Sequence, residues 1–223
     1  MGYGQTDETN FNYIGGTVLN SDNRLVSSTY NGWIDLFGWG TSGWNSGAKA
    51  YEPWSTSTDY ADYYPGNSSS NNLTGEYAYA DWGVYNQIGY DAPGTWRTLT
   101  RKEWDYLVKT RTDASLKYGA AKVNSVTGIV LLPDEWVLPE GCAFTPGMVT
   151  SDNKYDWEKV ASSNIYTGSQ WQKMEAAGAV FLPCAGGRKT FVKGVGADGY
   201  IWTSTIGNTN KPIVCISKPT TLT

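Results

Sequence analysis

The sequence predicts an α+β domain with two helices, short antiparallel strands and long irregular loops. Three observations point there. Two capping-box starts lead into apolar residues at helical spacing. Four short apolar or alternating runs are bounded by turn residues. Between them lie stretches with no period at all, punctuated by Gly-Trp pairs. The 223 residues fit a single domain spanning 1–223, with residues 1–31 as an irregular N-terminal arm rich in Asn, Ser, Thr and Tyr.

Along the chain, the segment from Gly32 to Trp44 contains Gly32-Trp33, Gly38-Trp39 and Gly43-Trp44. Glycine lets the backbone turn sharply while the large ring anchors it, so this reads as a loop pinned to a core. Residues 45–80 carry Pro53, Pro65 and Gly66. Their polar run Asn67-Ser68-Ser69-Ser70-Asn71-Asn72 reads as an exposed loop tip. Asn67 and Asn72 each open an N-x-S/T triplet, which chance accounts for in this composition.

Thr100 and Glu103 form the first capping box. Leu99 and Trp104 supply its hydrophobic staple, and Trp104, Leu107 and Val108 mark a buried helical face. Ser169 and Gln172 form the second box. Trp171 and Met174 share its core face, and Gly178 stops the helix. Strands are expected over 128–133, 179–184, 200–205 and Ile213–Ser217, with a hairpin turning through Asn124-Ser125-Val126-Thr127.

Composition removes much chemistry. There is no His, so no His triad, His base or His metal ligand exists. A net charge of −4 argues against a nucleic-acid partner, whose binding rests on Lys and Arg neutralising phosphates. No apolar run approaches the length of a membrane span, and the N-terminus lacks the basic and apolar regions of a signal peptide. Cys142, Cys184 and Cys215 lack C-x-x-C spacing, so zinc and dithiol chemistry are not expected. Cys184 and Cys215 sit in apolar runs and read as buried hydrophobes, with a Cys184–Cys215 disulfide as the alternative. Asp134-Glu135 and Asp156-Trp157-Glu158 are the candidate acids for hydrolysis, read as solvated loop acids. No metal site and no cofactor are expected.

Three motifs then carry a resemblance. Trp96-Arg97-Thr98-Leu99-Thr100 runs into Glu103-Trp104-Asp105-Tyr106-Leu107. It is followed by Gly178-Ala179-Val180-Phe181-Leu182-Pro183-Cys184-Ala185-Gly186-Gly187-Arg188, and then by Gly199-Tyr200-Ile201-Trp202-Thr203-Ser204-Thr205. Together these resemble the Fibrobacter succinogenes major paralogous domain, common in secreted proteins of gut Bacteroidetes. That group is related to the C-type lectin-like fold, which also includes formylglycine-generating enzymes and the variable proteins of diversity-generating retroelements. The resemblance covers roughly residues 30 to 217 and implies that fold and an extracellular, cell-surface or phage-particle location. The closing strand pair of the family departs from its pattern here, so an exposed sheet edge covered by another chain or by a terminal segment, and a homo-oligomer formed through it, are expected.

The cysteine arrangement of the formylglycine-generating enzymes is not matched. Glu52-Pro53-Trp54 and Asp81-Trp82-Gly83 share letters with calcium-lectin motifs, but Trp54 offers calcium no oxygen. Binding without catalysis remains, favoured by an aromatic share of 14%, more than such a core needs. The expected function is a non-enzymatic ligand-binding or adhesion module for a surface glycan or protein. The alternatives are a retroelement-diversified, displayed receptor-binding protein and an enzyme of unrecognised type. By the position that varies in the resembling retroelement proteins, the ligand site is expected at Arg188, Lys189, Phe191, Tyr200, Trp202, Asn208 and Asn210.

Overall fold

The computed structural model describes residues 38–50, 57–146, 163–188, 192–206 and 213–217. They form an α+β architecture in two compact units. Among the described residues, the first unit takes 38–50, 57–101 and 202–206, with 188, 192 and 213. The second takes 102–146, 163–187, 193–201 and 214–217.

The second unit is built on a hairpin of β1 (Tyr118–Val123) and β2 (Val126–Leu131). Its turn is two residues, Asn124 and Ser125, with φ of 47° and 69°. A two-residue hairpin loop of this hand needs positive φ at both positions, and Asn tolerates it well. The strands therefore close at Val123↔Val126, tighter than the four-residue turn expected from sequence. The short β3 (Ile165–Tyr166) runs parallel to β1, and β4 (Val180–Pro183) antiparallel to β2, giving the order β3-β1-β2-β4.

Ala121, Val123, Val130 and Leu132 fall on one face of the hairpin and pack with Tyr166, Met174 and Ala179. The opposite face also buries Ala120, Ile129 and Leu131. A strand pair covered on both faces reads as a continuous apolar run, as 128–132 does. Gly128 leaves the space that Phe181 fills: a Cβ there would lie 2.5 Å from the Phe181 ring. Buried Asn164 ties the edge down. Its amide donates to the Ala120 and Thr145 carbonyls, and its oxygen accepts the Thr145 N–H.

Between β3 and β4 lies a helix, Gly168–Ala176 (α3 below), with Met174 fully buried and Trp171 half-buried against the same core. The cap differs from the expected one. Thr167, not Ser169, is the N-cap, accepting the Gln170 N–H while the Gln170 side chain accepts the Thr167 N–H. Both pairs are Ser/Thr followed three residues later by Gln, so spacing alone left a two-residue ambiguity. Gly178, at φ 93°, follows the helix end as expected.

At the end of the β2–β4 pair, Cys184 N–H donates to Thr127 O. By antiparallel alternation, the backbone groups of Phe181 and Pro183 then face away from β2. Pro183 occupies a position where a missing N–H leaves the ladder intact.

A second sheet has the order β6-β5-β7-β8, from β5 (Ala185–Arg188), β6 (Val192–Val195), β7 (Asp198–Trp202) and β8 (Ile213–Ser217). β8 has its expected bounds. β7 starts and stops earlier than expected, because Ser204 N–H donates to Leu99 O and Ser204 O accepts the Leu73 N–H, which takes that backbone out of the ladder.

The expected first helix appears as α2, which is numbered after a short α1 (Trp82–Tyr85) and covers Arg101–Asp105. It begins after Thr100 and buries Trp104. It then widens into a π-helical turn over Tyr106–Thr110, with Arg111 N–H donating to Tyr106 O.

Among the described residues, the first unit is almost free of ladders and shows 3-10 turns at Tyr60–Tyr63, Pro65–Asn67 and Gly75–Ala80, followed by α1. Trp39, Leu73 and Ala80 form its core, flanked by Trp44, Tyr64, Trp202 and Ile206. The pinned-loop expectation holds at Trp39, whose buried ring also donates its N–H to Thr203 O at 2.8 Å. The 67–72 run is not simply an exposed tip. The Asn71 amide donates to Pro65 O, and the Asn72 oxygen accepts the Ile206 N–H. Trp33, the 1–31 arm, Glu52-Pro53-Trp54 and residues 156–158 lie outside the described residues, as does the Cys215 side chain. Cys184 is buried, as expected. Among the described residues, no helix is long and apolar enough to cross a membrane.

Candidate ligand-recognition surface

Tyrosines dominate the exposed aromatic surface of the first unit. Tyr60, Tyr79, Tyr85, Tyr90 and Trp96 are all exposed. Four rings form a connected row: Tyr77 to Trp44 at 6.2 Å between centroids, Trp44 to Tyr79 at 6.0 Å, and Tyr79 to Tyr85 at 6.3 Å. These tilted and edge-on contacts lie within the favourable range for aromatic pairs. Tyr77 is seated by Gly66, which has φ 59°; a Cβ there would come within 2.5 Å of the Tyr77 hydroxyl.

Buried Ser42 ties together the three segments that carry the row. Its hydroxyl donates to Tyr79 O at 2.6 Å and accepts the Trp44 N–H. Its own carbonyl accepts from the Asn86 amide at 2.8 Å, next to Tyr85. Asp81 fixes the helix between Tyr79 and Tyr85. One carboxylate oxygen accepts the Gly83 N–H as N-cap, and the other accepts the Thr98 N–H. This carboxylate is buried and used by backbone, so the lettering it shares with a calcium-lectin strand has a structural explanation.

Beyond α1, residues 87–97 form an exposed loop. Ile88 and Asp91 exchange backbone hydrogen bonds, and the Trp96 indole N–H donates to the Asp91 carboxylate at 2.7 Å. Tyr90 stands fully exposed at its tip. Elsewhere in this unit the Tyr60 and Tyr64 hydroxyls share a hydrogen bond. Burial, reinforced by that bond, pushes the Tyr64 phenol up to about 12.

In the second unit, several charges meet at Asp134. Tyr106 donates to Asp134 at 2.9 Å, and buried Arg111 and half-buried Lys117 approach the same carboxylate at 3.2 and 3.5 Å. The Tyr106 hydrogen bond holds Asp134 below the usual carboxylate value; desolvation, the next influence, opposes it, and Arg111 and Lys117 add to the lowering. Arg111 also donates to the Leu132 and Lys117 carbonyls. Asp134 is an exposed loop acid, as expected, but it is also the anion of a staple, and a stabilised carboxylate makes a weak base. Burial raises the Tyr166 phenol, whose hydroxyl donates to Ala143 O. Among the described residues, no group of three or more Cys, Asp or Glu is gathered that could hold a metal ion.

Of the seven residues expected to bind ligand, Tyr200 is 40% exposed on β7. Trp202 is half-buried against the Trp39 core, beside a cleft between Trp39, Leu73 and Trp82 of about 10 Å³. That volume is near the minimum for one water. Arg188 lies on β5, with its side chain outside the described set, and Lys189, Phe191, Asn208 and Asn210 lie outside it altogether. Sequence reasoning passed over Tyr79 and Tyr85, whose signal was tyrosine density between residues 77 and 90 without any period. Comparison of the chain with protein-family models, curated proteins and solved structures returned no match.

Proposed function

We propose that this chain is a non-enzymatic recognition module that binds a glycan or protein at a cell or particle surface. The observation that carries the reading is the set of exposed tyrosines, with Trp96, on hydrogen-bonded irregular backbone between residues 57 and 97. Tyr and Trp give large contact area at small rotameric cost, and a fixed backbone lowers the ordering cost of binding. The motif resemblance to the Fibrobacter succinogenes major paralogous domain supports a C-type lectin-like scaffold, in which loops carry recognition and the sheet carries stability.

Binding of the intact chain to arrays of glycans and extracellular proteins tests this reading. Saturable binding to members of one class is the expected result. An intact chain that binds neither class would overturn it. Tyr200→Ala is the variant for the C-terminal stretch, because Tyr200 is exposed whereas Trp202 packs on the core. Loss of binding in that variant would place the contact surface on β7.

A further inference from the structure

We propose that Tyr79 and Tyr85, the exposed end of the row Tyr77–Trp44–Tyr79–Tyr85 and backed by its two half-buried rings, form a contact surface for a neutral oligosaccharide. This rests on the recognition reading above and names its site and ligand class. The first ground is continuity. Exposed tyrosines are common singly, but here each ring touches the next, at centroid distances of 6.0–6.3 Å. Packing does not require the outer rings. Tyr79 and Tyr85 are 55% and 42% exposed, while the unit's core is completed by Trp39, Leu73 and Ala80.

The second ground is preorganisation. Ser42 holds the Tyr79 carbonyl, the Trp44 N–H and the Asn86 amide, so the three segments bearing the rings are fixed before any ligand arrives. A platform already in place spares the ligand the entropy of ordering it.

The third ground is charge. Neither the four rings nor Ser42 and Asn86 include a Lys or Arg, so the row offers neither the cations that a phosphate backbone needs nor the basic face that an anionic membrane needs. A pyranose matches instead: its C–H face lies on an aromatic ring while its hydroxyls reach phenols and water. An aliphatic protein pocket would be met better by Leu, Ile or Phe than by a row in which three of four rings end in a hydroxyl.

The test titrates the intact chain with cellohexaose, laminarihexaose, maltohexaose and chitohexaose, following Trp fluorescence and heat. At least one hexasaccharide should bind. Tyr79→Ala and Tyr85→Ala should each raise its Kd about tenfold, about 1.4 kcal/mol. Tyr79→Phe, which keeps the ring, should stay within about twofold. Thermal unfolding of each variant reports that the fold is retained. Val137→Ala, exposed on the second unit and no part of the aromatic surface, should bind as the intact chain does.

Hexasaccharide binding unchanged by both alanine variants would overturn the row as the site while leaving the recognition reading intact. So would loss of binding in Tyr90→Ala or Tyr200→Ala alone. No hexasaccharide binding, with array binding to a protein that Tyr79→Ala abolishes, would overturn the ligand class. No binding on any arm would overturn both readings.

Discussion

The two units solve the same problem by different means. In the second, β1 and β2 pair six residues to six, and backbone groups satisfy one another along the ladder. Small and branched aliphatic side chains then fill both faces. In the first, side chains do much of that work. Trp39 caps Thr203 O, Ser42 caps Tyr79 O, Asn71 caps Pro65 O, and Asp81 takes the Gly83 and Thr98 N–H groups. Buried backbone must be paired somewhere, so where the described residues form few ladders, Ser, Asn, Asp and Trp are spent on pairing. The lesson concerns interchangeability. An apolar residue in the sheet can be swapped for one of similar volume, but a polar residue in the turns holds one particular carbonyl or N–H.

The sharpest way to break this contrast is to remove one anchor from each unit. Trp39→Ala should cost about 4 kcal/mol, since a buried ring and its hydrogen bond to Thr203 are lost together. Met174→Ala should cost about 3 kcal/mol, by cavity formation alone. Trp39→Phe restores most of the volume but not the bond, whereas Met174→Leu should be nearly neutral. Urea unfolding compares the four variants, and equal tolerance of Trp39→Phe and Met174→Leu would erase the distinction.

A smaller effect sharpens the picture at α3. Thr167→Ala should lose about 1 kcal/mol, and Ser169→Ala should stay within about 0.5 kcal/mol. The same unfolding measurement distinguishes them, and the reverse order would return the cap to Ser169.

The smallest effect is electrostatic. Asp134 has a folded value below its ordinary 3.8, so its contribution is fully present above 3.8 and is lost as pH falls through the lower folded value. Carboxyl NMR titration should show Asp134 titrating late on acidification. Tyr106→Phe should move the midpoint upward, because the Tyr106 hydrogen bond is the largest of the lowering influences. An unshifted midpoint would assign the effect to Arg111 and Lys117.

What was legible in the sequence follows the same division. Regular elements announce themselves by period, and both helices and parts of β1, β2, β4, β7 and β8 were expected where they lie. Their edges were less legible. Thr167 and Ser169 each satisfy a capping pattern, and the hairpin turn needed the left-handed geometry of Asn124 and Ser125 to choose two residues over four. β5 went unseen because Ala185-Gly186-Gly187-Arg188 has neither alternation nor branched residues, and β6 because the two Val of Val192-Lys193-Gly194-Val195 stand three apart, off the strand period. The aromatic row was invisible for a deeper reason. Trp44, Tyr77, Tyr79 and Tyr85 meet through turns with no repeating geometry, so no spacing rule connects them. The C-terminal stretch was chosen by analogy of position, and Trp202 there proved to pack on a core.

Pro183 has a bearing on how the protein behaves when crowded. Among the described residues β4 is the margin of its sheet, and a neighbouring molecule docking a strand against it would find no amide proton at that residue. The growing fibre would lose a rung at its first step. Replacing this imino acid with valine would supply the missing proton and favour branched packing, turning a blunt margin into a template for stacking. Turbidity and thioflavin fluorescence during concentrated storage would report the change, even where the melting temperature of the variant had risen.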